Sequence, residues 1–186
     1  AEPLQPTQLA IFRAFALTGY PSAVVDLREG GSLSGSTAFK DYLGNSLNDY
    51  PAHCGVAVKS TYDQASGQAD IAVRLTSEKS EAYRIAVFVV EDRIVAEQNN
   101  GGTHISDYTH RHVGRQMLSA SYKGDSLGTV EAGKEATKNY SLTVDSAWNL
   151  ENTTIYALGI SADGYVNNMA VCQIVNGDTN YDYIKE

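Results

Sequence analysis

The sequence predicts a mainly β protein: an antiparallel Greek-key sandwich over residues 51–186, preceded by a small α/β segment over residues 1–50. Near Ala52 the hydrophobic period changes from helical to two. Beyond that point, seven or so runs rich in β-branched and aromatic residues are separated by turn signals, with no helical pattern between them. At 186 residues, 42% hydrophobic and 19% charged with 4 Pro, the chain has the composition of a folded globular protein.

The opening predicts a helix. Pro6 suits a first-turn position; Leu9, Ala10, Ile11, Phe12, Ala14, Phe15, Ala16 and Leu17 follow, and Gly19 supplies a stop. Only Arg13 interrupts the apolar run, so the helix should be covered on more than one face. Tyr20 to Asp26 reads as a short strand entered through an aromatic-proline bond, where the cis isomer costs little. Gly30 to Gly35 reads as a loop. A second helix begins near Ser36, with Phe39, Leu43 and Leu47 at spacings of four and Tyr42 beside them, and Asn48-Asp49-Tyr50-Pro51 ends it.

Val56, Val58 and Tyr62 then alternate, and a turn at Asp63 to Gly67 leads to Ile71, Val73 and Leu75 alternating with Asp70, Ala72 and Arg74. Tyr83 to Val90 is apolar on both faces, as a central strand is. Glu97 to Thr109, containing Asn99-Asn100-Gly101-Gly102, reads as a long polar connection. Strands follow near Arg111 to Ser121, Asn139 to Val144, Thr153 to Ala162 and Asn167 to Val175.

Several functions are disfavoured by composition. The net charge is −8 and no Lys/Arg run exists, whereas sequence-independent nucleic-acid binding needs clustered cations. No stretch approaches the roughly 20 apolar residues of a membrane-spanning helix. The lack of an initiator Met and of a leader at Ala1 suggests a processed product or a piece of a longer chain. Twelve tyrosines suit half-buried strand positions first and a binding surface second.

Cys54 and Cys172 form no CxxC, which leaves two options: a disulfide closing a loop of more than a hundred residues, or two buried thiols. His104, His110, Arg111, His112 and Arg115 form the richest polar cluster. His110 and His112 would share one face of a strand, and with His104 could ligate zinc or copper. Glu91 and Asp92 end the central strand, where pairing with Arg111 and Arg115 is favoured over acid/base chemistry. Gly128 to Glu135 nearly spells a phosphate-binding loop, but Glu135 stands where a Mg²⁺-binding hydroxyl belongs. Asp178, Asn180 and Asp182 mimic the start of an EF-hand loop, with Tyr183 where Gly is required. There is no G-x-S-x-G nucleophile elbow, and neither cysteine has a His neighbour in sequence. An enzyme is not expected, nor a cofactor.

The run Val89-Val90-Glu91-Asp92, then Gln98, then Tyr108-Thr109-His110-Arg111-His112-Val113 and Arg115, resembles the signature of the twenty-eight-kilodalton outer membrane protein family of Bacteroidetes-type lipoproteins. The resemblance covers roughly Tyr20 to Val175 in layout. It implies a thioredoxin-like half followed by an immunoglobulin-like half. Tyr20-Pro21 would then be the cis-proline strand of the former, and Ser36 to Leu47 its closing helix. The CxxC of redox-active thioredoxins would lie before Ala1, so no oxidoreductase function is expected of this chain. The resemblance also implies outer membrane attachment through a lipid anchor outside the chain, and a surface or periplasmic binding or adhesion role with an unknown protein or glycan partner. A structural spacer and a His-based metal-handling protein are the alternatives. Asp125-Ser126-Leu127 and Asp145-Ser146-Ala147 resemble acceptors for periplasmic O-glycosylation in such bacteria.

Overall fold

A computed structural model describes residues 5–19, 21–33 and 36–181. Helix α1 (Gln5–Ala14) is followed by strands β1 (Ser22–Val25) and β2 (Glu29–Ser32), and helix α2 (Ser36–Asp49) leads into the sandwich. The sandwich contains β3 (Cys54–Asp63), β4 (Gln68–Ser77), β5 (Glu81–Glu91), β8 (Val113–Met117), β9 (Asp125–Val130), β10 (Glu135–Thr143), β11 (Thr153–Ile160) and β12 (Val166–Gln173). Strands β6 (Ile94–Asn100) and β7 (Thr103–His110) form a separate two-stranded hairpin.

One sheet has the order β10-β4-β3; the other has the order β12-β11-β5, with β8 and β9 sharing the far edge of β5. β9 pairs with the first half of β5 (Glu81↔Val130) and β8 with the second (Glu91↔Val113). All pairings are antiparallel. β3, β4 and β10 face β5, β11 and β12, so the chain changes sheet between β4 and β5 and on each side of β10, the order of an immunoglobulin-like Greek key.

The period-two pattern places the core. Val56, Val58, Ile71, Val73 and Leu75 from one sheet meet Ile85, Val87, Val89, Ile155 and Ala157 from the other, all at most 1% exposed. Each large aliphatic side chain among them contributes roughly 1.5–3 kcal/mol by leaving water. Tyr83 carries its hydroxyl into this core and is satisfied there by Ser77 Oγ at 2.6 Å.

Several expectations need correction. The Gly30–Gly35 stretch is not simply a loop: residues 30–32 belong to β2, paired with β1. A Cβ on Gly30 would come within 2.8 Å of Val24 Cγ2 and 3.1 Å of Ala23 O, so the paired strand closes over a backbone that favours glycine, while one on Gly31 would meet the end of the Tyr42 side chain at 2.7 Å. The opening helix stops at Ala14, with Ala16 at φ 49°, and leaves Leu9 42% exposed rather than covered on several faces. The connection over Glu97–Thr109 is the β6–β7 hairpin, turned by Gly101 and Gly102 at φ 58° and 87°. β9 had no counterpart among the expected strands, and the near phosphate loop is the end of β9, a turn and the start of β10. The Tyr20–Pro21 bond and the residues Asp182 and Tyr183 lie outside the described residues.

Candidate functional site

The residues singled out in sequence gather where β5 ends. Glu91 is 4% exposed, and both of its carboxylate oxygens are engaged: Arg115 Nε donates to Oε2 at 2.7 Å and Asn149 N donates to Oε1 at 2.9 Å. One carboxylate thus ties β8 and the β10–β11 connection to the end of β5. Both oxygens of this buried carboxylate are thus committed to donors.

Asp92 closes the neck of the β6–β7 hairpin. Its N–H donates to Asn152 O at 3.0 Å, and its Oδ1 accepts from His112 N at 2.6 Å. Arg93 and His112, at φ 61° and 51°, turn the chain out of β5 and back into β8. Burial, and then the nearby Asp92 charge, pushes the Tyr156 phenol up from its ordinary range. Beyond the neck, Gln98 Nε2 donates to Asn99 O at 3.3 Å within the hairpin. Tyr108 is 42% exposed and meets the His110 ring edge-on at 4.9 Å. Val95 is 64% exposed, and Arg111 is exposed.

The metal expectation is corrected here. His110 is the last residue of β7, and the left-handed backbone of His112 takes it off the face that strict alternation would give it. His104 lies six residues back along β7, on the order of 20 Å away, and pairs with Glu97 at 3.2 Å. Among the described residues no three His, Cys, Asp or Glu side chains come together as a metal site.

The disulfide alternative is corrected as well. Both thiols are free and buried. Asn168 Nδ2 donates to Cys54 O and Ser60 Oγ donates to Ile174 O, so β12 runs alongside β3 with Cys172 several residues further along than Cys54. A disulfide requires Cα atoms within about 7 Å. Burial, then the Glu81 charge, pushes the Cys54 thiol up to about 12, and burial, then Asp178, pushes Cys172 up to about 11. Ellman's reagent should therefore find no reactive thiol in the native chain over an hour and two after unfolding in guanidinium without reductant; zero in both would restore the disulfide.

Sequence reasoning missed a second polar cluster, which joins the starts of β3, β5 and β12. Asn167 Oδ1 accepts from His53 N and Cys54 N, each at 3.0 Å, while its Nδ2 meets His53 Nδ1 at 3.0 Å. With the amide so oriented, His53 Nδ1 is the acceptor and Nε2 carries the proton toward Glu81 Oε1, at 2.6 Å. Burial raises the Glu81 carboxyl, but hydrogen bonds from His53 and Tyr83, with the charge of Lys79 adding to them, outweigh it and hold it below its ordinary range. No sequence motif announces this network, because Asn167 and His53 lie 114 residues apart.

A model of the outer membrane protein Omp28 family matches residues 8–180, which include both clusters. The chain belongs to the Omp28 family. No curated protein matches it. Among solved structures, HBP35 of Porphyromonas gingivalis is similar to this Omp28-family chain with a TM-score of 0.74 at 16% identity, covering 97% of this chain and 62% of that one. At that identity the likeness supports the fold alone, and the Omp28-family chain spans 62% of the length of that protein. Membership makes it an outer membrane protein; among its described residues no helix is long and apolar enough to cross a membrane.

Proposed function

We propose that this Omp28-family chain is a non-catalytic binding module, held to the outer membrane by a lipid anchor outside the chain and offering its β6–β7 arm to a surface protein or glycan. The α1–α2 segment would be the closing part of a thioredoxin-like half, and no cofactor is required. One observation carries this reading: the arm stands off both sheets while leaving Val95 64% and Tyr108 42% exposed. Its base, by contrast, is clamped by Asp92 and Glu91. A clamped neck directly beneath an exposed tyrosine and valine, which lie where the arm leaves the sandwich, suits recognition, since tyrosines near the centre of an interface often dominate its energy. The bond pattern of Glu91 supports a structural role for the buried charge.

Changing Tyr108→Ala and Val95→Ser together should weaken retention of the immobilised chain on host-cell and bacterial-envelope surfaces by about thirtyfold, the equivalent of roughly 2 kcal/mol for one hot-spot aromatic. Both side chains are solvent-facing, so the melting temperature should stay within about 1 °C. Retention equal to that of the native chain would exclude the arm. No retention by the native chain on any surface would favour a spacer.

A further inference from the structure

A cavity of about 280 Å³ lies where the α1–α2 segment meets the β11–β12 turn, lined by Arg28, Glu29, Tyr42, Asn45, Asp163 and Tyr165. The Arg28 side chain is only 9% exposed. Its guanidinium carbon lies 3.8 Å from the centre of the Tyr50 ring and 4.3 Å from that of Tyr165. Its contact with Asp163 is long, at 3.5 Å. Arg28 Nε is, among the described residues, the one buried side-chain polar atom without a hydrogen-bond partner. A buried guanidinium whose hydrogen bonds are not all made is costly, and such an exception in a native fold calls for a partner.

The lining selects the class of that partner. Glu29 and Asp163 outnumber Arg28, on a chain of net charge −8, so an anion meets a net negative wall. A cation finds the space between Tyr50 and Tyr165 already filled by Arg28. A neutral polyhydroxyl ligand is opposed by neither. Each hydroxyl both donates and accepts, so it can replace the long bonds now made within the lining, Asn45 Nδ2 to Glu29 Oε2 at 3.3 Å and Arg28 Nη2 to Asp163 Oδ2 at 3.5 Å, and can meet the phenols of Tyr42 and Tyr165. Tyr50, half exposed, offers a ring at the rim for the C–H face of a sugar. The volume is at the small end for ligand pockets, which suits one ring rather than a chain.

We propose that this cavity binds a single neutral pyranose unit, with Arg28 and Asn45 donating to its hydroxyls and Glu29 and Asp163 accepting from them. The site shares no residue with the β6–β7 arm, so the two readings fail independently.

The test is an amide NMR titration of the full chain, with calorimetry, using the methyl glycosides of glucose, galactose, mannose and N-acetylglucosamine. Acetate and phosphate serve as anionic probes and tetramethylammonium as the cationic one. At least one glycoside should give saturable shifts confined to residues 25–29, 42–50 and 163–166, weakened at least tenfold, roughly one lost hydrogen-bonded contact, by Asn45→Leu and by Arg28→Lys. Asn45 is exposed, so its variant keeps the fold even if Arg28→Lys loosens the joint. The proposal is overturned if no glycoside saturates, if an ionic probe binds more tightly than every glycoside, or if the Asn45 variant binds as the native chain does.

Discussion

Replacing Arg115 by methionine should lower the stability of the chain by about 3 kcal/mol and its melting temperature by roughly 6–12 °C. The effect comes from what is left behind. The Glu91 side chain is 5% exposed, and without Arg115 its Oε2 would remain charged and dry, with only the Asn149 amide on Oε1. Removing one partner of a buried pair typically costs about 3–5 kcal/mol. The Arg115 side chain is 26% exposed, so water can partly take its place and the lower end of that range applies. The companion change Glu91→Leu in the same chain should recover most of the loss, because two apolar side chains leave no unpaired charge. Urea unfolding of the two variants checks both statements. A single variant within 0.5 kcal/mol of the native chain, on the usual scale of neutral surface changes, would mean that Glu91 is not held by this pair. The consequence reaches the arm, since Glu91 pairs with Val113 at the start of β8, where the hairpin re-enters the sheet.

What the sequence made legible depended on whether a segment has a buried face. β4 alternates buried residues with exposed or half-buried ones along its length, and β5 is buried on both faces over most of its length; both were read from apolar spacing alone. The nearness of Glu91 and Arg115 was legible for a related reason: a carboxylate at the end of a central strand needs a cation, and few were close in sequence. The β6–β7 hairpin buries no face, so its strands carry no hydrophobic alternation, and Asn99-Asn100-Gly101-Gly102 reads only as part of a polar connection. β2 was hidden because its glycines, chosen for close approach by Val24 and Tyr42, look like loop residues. The histidine cluster misled because alternation was extended through His112, whose positive φ breaks it. The cysteine positions turned on how far β12 slides along β3, which no local pattern encodes. Arg28 was passed over altogether: a lone arginine beside a Gly-rich stretch gives no sign that Tyr50 and Tyr165 will close on it.

Asn167→Leu should be as damaging as the loss of Arg115, at about 3 kcal/mol, although it removes no charge. Asn167 Oδ1 is the acceptor for the backbone N–H groups of His53 and Cys54, where the chain enters β3. Cys54 is fully buried, so at least one of these donors would be left without water or protein to bond. Each such orphan costs roughly 1–3 kcal/mol. The same change frees His53 Nδ1 and loosens the ring that donates to Glu81 at the start of β5. Asn167→Asp separates these two roles. It keeps an oxygen for both amides but sets a second oxygen against His53 Nδ1, where a donor stood, so its cost at neutral pH should be nearer 1 kcal/mol. Guanidinium unfolding of the two variants, with hydrogen exchange of the His53 and Cys54 amides, distinguishes the contributions. The expected pattern is fast exchange in Asn167→Leu and retained protection in Asn167→Asp. Equal losses with equal protection would instead place the stabilising interaction at the His53 ring. In that case the link from His53 to Glu81, rather than the amide clamp, would fix the start of β3 against those of β5 and β12.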